Sequence, residues 1–165
     1  FFKLKNFSDK ISQYLEDNKN LQKDVKKYVQ NWIKEGLTDW DITRDISWGI
    51  PIPTDGPSEK VFYGWFDNHL AYISSTIKFL NDNDIDGKKF WNESDIYHFI
   101  GKDIVYHHYL FLPAMRLGIG EEYKLPDYIP TRGHLTLQSK KISKSRNWYI
   151  GLKDFLEIFP TDYLR

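Results

Sequence analysis

From about residue 60 onward, short runs of strand composition alternate with stretches of helical spacing, and this order restricts the fold more than any other feature. VFYGWF (61–66) has the aromatic and β-branched character of a strand. A helical stretch follows from about Asn68 to Leu80. IYHFIG (96–101) is short, apolar and ended by a glycine, which predicts a buried strand. Asp103 is placed to cap a helix running through Leu117. A further strand is expected near Ile129 to Leu135, then a basic loop, then a helix over LKDFLEIF (152–159) stopped by Pro160. That alternation implies parallel βαβ units and an α/β fold. In such sheets ligands bind at the carboxyl ends of the strands. Those ends are Trp65–Asp67, Gly101–Asp103 and Gly133–Thr136, and they are expected to converge on one edge.

The residues before 60 have a different texture. Ser8 or Asp9 can cap a short helix over ISQYLEDN. Leu21, Val25, Tyr28, Val29, Trp32 and Ile33 then fall on one stripe at helical spacing, with Gly36 as the stop. Gly49, Pro51, Pro53, Asp55, Gly56 and Pro57 mark a turn-rich connection.

Aromatics make up 17% of the chain, too many for a disordered segment. Basic and acidic residues balance at 23 each, so only local clusters can argue for an anionic partner. There is no cysteine, which excludes disulfides and thiolate metal sites here and suits a reducing compartment, the cytoplasm. No apolar run reaches the roughly 18 residues of a membrane helix. The chain opens on Phe1 and holds one methionine, Met115, which predicts a piece of a longer protein.

The most chemically suggestive stretch is KKISKSR (140–146), with four cations in seven residues and no proline. Composition alone reads it as a solvated basic loop; lysines spaced this way also suit a triphosphate whose charge shifts during reaction. Gly101 allows close backbone approach to a ligand, and Asp103 offers acceptors for ribose hydroxyls or a plain helix cap. Ile104 and His108 share a helix face. With Trp65 and Tyr72 they can form either ordinary core or an apolar box with a polar end, suited to a thioether. The five histidines form no HExxH pair, and adjacent His107 and His108 diverge by about 100° on a helix, so no metal site is expected.

KISKS (141–145) resembles the KMSKS signature of class I aminoacyl-tRNA synthetases, with Ile142 in place of Met. Around it, in order, WDITRD (40–45), VFYGWFD (61–67), YHFIGKDIVYHH (97–108) and TRGHLTLQSKKISKSRN (131–147) are similar to the methionyl-tRNA synthetase family. The resemblance implies the second half of a Rossmann-like catalytic fold over 44–165, preceded by the helical end of a connective insertion over 1–43. It implies activation of methionine by ATP, brought with Mg²⁺, and transfer to tRNA(Met). It implies catalytic roles for Lys144 and Lys141, and ATP contacts from Gly101, Lys102, Asp103, Ile142, Ser143, Lys144 and Ser145. Trp65, Tyr72, Ile104, His107, His108 and Arg44 would hold methionine, although Arg44 can equally form a surface ion pair with Asp41 or Asp45. The family's HIGH motif and zinc knuckle are not in this sequence, so zinc would belong upstream and the isolated chain is expected to be inactive. Asn68-His69, where many members have Ala-Pro, and His107, where an apolar aromatic is common, depart from the pattern. Rival readings are a tRNA- or partner-binding piece without chemistry, a synthetase for another apolar amino acid, and an unrelated nucleotidyl transferase.

Overall fold

The computed structural model describes residues 1–53, 59–120 and 123–164. The turn expected at Asp55, Gly56 and Pro57 lies outside them. They form two compact units, Phe1–Arg132 and Gly133–Arg165.

The first unit is built on a helical pair. Helices α1 (Ser8–Asp17) and α2 (Lys23–Glu35) bury Ile11, Leu15 and Val29. These side chains join Leu4, Leu21, Ile100, Val105, Tyr109 and Ile129 in one core. Burying each such aliphatic side chain contributes roughly 1.5–3 kcal/mol. Gly36 ends α2 at φ 99°, as its position predicts. Neither Ser8 nor Asp9 caps α1: the cap position is Phe7, and Ser8 Oγ instead donates to the Lys5 carbonyl at 2.8 Å, closing the 3-10 turn before the helix.

The strand expected over 61–66 is shorter and runs the other way. β1 (Thr43–Arg44) pairs antiparallel with β2 (Val61–Phe62). The chain turns helical at once in α3 (Gly64–Asp67), so Trp65 sits on a helix rather than at a strand end. Phe62 and Phe66 stack with ring centroids 5.5 Å apart, a contact the helical turn supplies. Aromatic content alone does not separate such a turn from a strand. After a 3-10 turn at Asn68–Leu70, α4 (Ala71–Asn81) fills the predicted helix.

Helix α5 (Gly87–Glu93) is an element the periodicity did not announce. Asp86 caps it by accepting from the Lys89 amide at 2.9 Å. A Cβ on Gly87 would come 2.7 Å from the Ile77 Cα, so α4 and α5 pack at a distance only glycine permits.

The parallel pair is present: β3 (Ile100–Gly101) runs beside β4 (Thr131–Arg132). Backbone bonds from His98 to Tyr128 (2.9 Å) and from Ile100 to Pro130 (3.0 Å) extend it upstream. Burial alternates here. Ile96, His98 and Ile100 face inward, whereas Tyr97 is 50% and Phe99 80% exposed. The expected continuous buried run is therefore a one-faced strand.

Beyond β3 the backbone enters a 3-10 turn (Lys102–Ile104), a π-turn (His107–Phe111) and α6 (Leu112–Gly118). The cap position of this element is Gly101, so the expected Asp103 cap is not formed. Helices before β3, and α6 between β3 and β4, make this unit α/β, as the alternation requires.

In the second unit β5 (Thr136–Leu137) and β6 (Lys140–Lys141) form an antiparallel hairpin, so the basic stretch expected as a loop is partly strand. Its two turn residues, Gln138 and Ser139, have φ of 50° and 61°, the left-handed pair a two-residue hairpin demands. Helix α7 (Leu152–Ile158) follows as predicted. Among the described residues no helix is long and apolar enough to cross a membrane.

Candidate active site

Six rings gather where α3, α4, the strand preceding Gly101 and the π-turn meet. Trp65 lies 4.6 Å from His107 and 5.8 Å from His69, centroid to centroid. Tyr72 lies 4.6 Å edge-on from His98 and 6.0 Å from His108. His108 is 5.5 Å from both His69 and His98. The structure thus brings together Trp65, Tyr72, His107 and His108, with Ile104 one turn away on the same face.

Hydrogen bonding assigns His108 its state. Nδ1 stands 3.0 Å from the Ile104 carbonyl, which only accepts, so Nδ1 carries the proton. Nε2, 3.2 Å from the Tyr72 hydroxyl, is then the acceptor and Tyr72 the donor. Ile104, His108 and Tyr72 form one chain that holds the phenol in place, and the Tyr72 proton is committed to it. The π-turn, whose Leu112 amide bonds to the His107 carbonyl, was not visible in the sequence. Such turns occur often at functional sites.

The cluster is electrically neutral at pH 7. Burial, with the neighbouring His108 and His107 adding to it, pushes His69 down to about 4. Burial, helped by the positive charge of Arg116, pushes His98 down to about 3. His107 and His108 are also held below their ordinary value by burial. Among the described residues no group of three potential metal ligands comes together.

Gly101 and Asp103 stand together at the carboxyl end of β3. A Cβ on Gly101 would meet Asp103 Oδ1 at 2.6 Å, so the carboxylate lies directly over the glycine. Lys102 and Asp103 are both exposed, an accessible cation and carboxylate at the strand end.

Arg44 faces elsewhere. Its Nη1 donates to the Thr43 carbonyl at 2.6 Å and lies 3.7 Å from the Asp41 carboxylate. Its guanidinium sits 3.7 Å over the Tyr63 ring. An exposed ion pair of this kind contributes little stability. Its link to the cluster is indirect, through Tyr63, Trp40 and the 6.4 Å edge contact of Trp40 with His107.

In the second unit Lys141 and Lys144 are exposed, and no ion pair involves Lys140, Lys141, Lys144 or Arg146 among the described residues. The stretch is held rather than loose. Ser143 and Trp148 exchange two backbone bonds at 2.9 Å, and Asn147 takes a left-handed φ of 51°. Trp148 Nε1 donates to the Leu137 carbonyl at 3.1 Å, and Lys140 Nζ stands 5.2 Å over the Trp148 ring. Ser143 and Ser145 hydroxyls bond at 3.2 Å. Ile142 is half-buried against the hairpin, in an apolar cleft with Leu135, Leu137 and Phe155.

Sequence reasoning passed over His69, His98 and Trp40 as site-forming residues. His98 shares the inward alternation of Ile96 and Ile100, a signal that could have found it. Trp40 stacks on Phe111 at 3.4 Å, a contact between distant segments with no local trace.

Comparison with known proteins gives these features a context. A methionine–tRNA ligase of Methanopyrus kandleri is 46% identical over all of this chain, and one of Methanobrevibacter smithii is 44% identical. The chain spans about a quarter of the length of these relatives, 25% and 24%. A crystal structure of Mycobacterium tuberculosis methionyl-tRNA synthetase bound by methionyl-adenylate matches with a TM-score of 0.79 at 27% identity, covering 98% of this chain and 31% of that one. The family described as "tRNA synthetases class I (M)" matches residues 1–165, and the chain belongs to that family.

Proposed function

We propose that the complete protein joins methionine to tRNA(Met) in two steps. The methionine carboxylate attacks the α-phosphate of ATP; a carboxyl–phosphate bond forms, the α–β bridge breaks, and pyrophosphate leaves with the electron pair. The terminal ribose hydroxyl of the tRNA then attacks the activated carbonyl and AMP departs. No covalent bond to the protein is needed, so catalysis is positioning and stabilisation of growing charge.

The observation that carries this reading is the neutral chain Ile104–His108–Tyr72 beside Trp65, a few residues from Gly101 and the exposed Asp103. The rings suit an uncharged thioether side chain. Asp103 accepts from the ATP ribose hydroxyls, with Gly101 and Lys102 giving close backbone and cationic contact. Lys144 neutralises charge on the leaving pyrophosphate, Lys141 supports it, and Ile142, Ser143 and Ser145 shape the approach to ATP, whose magnesium is held mainly by phosphates and water. Arg44 lies near the amino-acid end only through Tyr63 and contributes long-range charge. Residues 1–43 are the end of a connective insertion and 44–165 the later half of the catalytic domain. Absence of cysteine supports a cytoplasmic setting.

Amino-acid-dependent pyrophosphate exchange by the complete protein tests the reading. Exchange with methionine, and not with leucine, isoleucine or valine, is expected. Exchange driven by another amino acid would make it a sister synthetase, and tRNA binding without any exchange would make it a binding module. The 165-residue chain alone, lacking the HIGH motif, is expected to give none.

A further inference from the structure

Helix α2 carries an aromatic side chain that the core does not need. Tyr28 is 55% exposed, although Val25, Val29, Trp32 and Ile33 already supply the apolar stripe of the same helix. A single exposed ring is ordinary, but this one is the outer end of a series. Its centroid lies 4.3 Å from that of Trp32. Trp32 in turn lies 5.1 Å from Tyr106, which is half-buried. Tyr106 stands four residues after Lys102 and three after Asp103, beside the carboxyl end of β3 where the proposed function puts ATP. An edge of three rings therefore runs from open solvent on α2 toward that strand end.

The helix also carries charge in register. Lys23, Lys27 and Lys34 are exposed and recur at i, i+4 and i+11, so they form one stripe. None of them is held in an ion pair among the described residues. Lys102 adds an exposed cation at the far end of the ring series. Asp24 and Glu35, four residues before and seven after Tyr28, fall between the phenol and the lysine stripe. A ligand laid across this face thus meets a ring, then carboxylate acceptors, then a row of ammonium groups. Single-stranded nucleic acid has the matching order: an open base face, amino groups on the edges of cytosine and adenine, and a phosphate backbone. A duplex keeps its base faces stacked inside and has none to offer Tyr28.

The second step of the proposed reaction brings such a ligand. The terminal ribose of the tRNA, at the end of an unpaired strand, has to reach the activated carboxyl group. We propose that Tyr28, with Lys23, Lys27 and Lys34, is a landing for the single-stranded 3′ end of the tRNA: an unpaired base stacks on the phenol ring and the lysines face the phosphates. This rests on the two-step reading given under the proposed function. Tyr28 touches the tRNA and none of the reacting atoms.

Two rates measured on the complete protein separate the steps. Tyr28→Ala should lower kcat/KM for tRNA in aminoacylation about tenfold, the loss of one stacked base, and leave methionine-dependent pyrophosphate exchange unchanged. Tyr28→Phe keeps the ring and should keep the rate. Lys27→Glu should weaken tRNA binding and flatten its dependence on salt, and it reads the same surface if Tyr28→Ala does not fold. A tRNA trimmed of its unpaired 3′ nucleotides should inhibit wild type and Tyr28→Ala equally, because the contact in which they differ is gone. Equal aminoacylation by wild type, Tyr28→Ala and Lys27→Glu overturns the proposal. So does unequal inhibition by the trimmed tRNA, which would set Tyr28 against another part of the RNA. In both cases exchange with methionine leaves the proposed function standing. Wild-type protein without that exchange overturns the function and this proposal with it.

Discussion

Acidification should unfold this chain at a pH where its carboxylates are still ionised. The perturbation is a shift from about pH 7.5 to about pH 5, and the relevant groups are His69 and His98. In the unfolded chain both titrate at their ordinary value of 6.5; in the fold they bind a proton only near 4 and 3. Below 6.5 the unfolded state therefore holds more protons than the folded one, and stability falls as pH falls. It levels off only once the folded rings protonate. By linkage each ring removes about 2 kcal/mol at about pH 5, or about 4 kcal/mol together. That is a large part of the roughly 5–15 kcal/mol that holds a domain folded. His107 and His108 shift in the same direction and add to the loss. The carboxylates of Asp39 and Asp41 are lowered from 3.8, so their contribution disappears only at more acid pH and does not mask the effect. Urea unfolding followed by tryptophan fluorescence across this range would measure it, with an expected slope of about 1.4 kcal/mol per pH unit for each histidine. His98→Gln should flatten the slope by about one proton. A midpoint that stays level down to about pH 5 would refute the reasoning, because the buried rings would then be hydrated or paired in solution.

Lys144→Ala in the complete protein should cut methionine-dependent pyrophosphate exchange by roughly 10² or more, mainly in kcat, as removal of a charge partner for the leaving group does. An unchanged rate would remove Lys144 from the mechanism. His108→Ala releases the Tyr72 hydroxyl and should weaken methionine binding about tenfold while leaving ATP binding unaltered; equilibrium titration with each ligand separates the two. Gly87→Ala forces a methyl group against the Ile77 backbone and should lower stability by about 1–3 kcal/mol in urea titration. A stable Gly87→Ala chain would show that α4 and α5 can separate without loss.

Which features were legible in the sequence follows from the range of the forces involved. The helical stripe of α2, its glycine stop, α4 and α7 were readable because periodicity and punctuation act within a few residues. The glycine–aspartate step after β3 was readable for the same reason, as was the density of cations from Lys140 to Arg146. Strand lengths and directions were not. VFYGWF divides between β2 and α3 because Phe62 and Phe66 stack across a helical turn, and its strand partner Thr43–Arg44 comes from before the turn-rich segment.

By itself the sequence determined the α/β class and the local signatures, since alternation and short motifs are properties of the chain. Tertiary structure alone decided which rings meet. The π-turn shifts the register of His107 and His108, His98 arrives from a strand, and His69 and Tyr72 arrive from the segment after Trp65. Whether an imidazole is charged, a donor or an orphan depends on burial and on neighbours far away in sequence. Local pattern carries no record of those distances, and a fold supplies them only by closing its core.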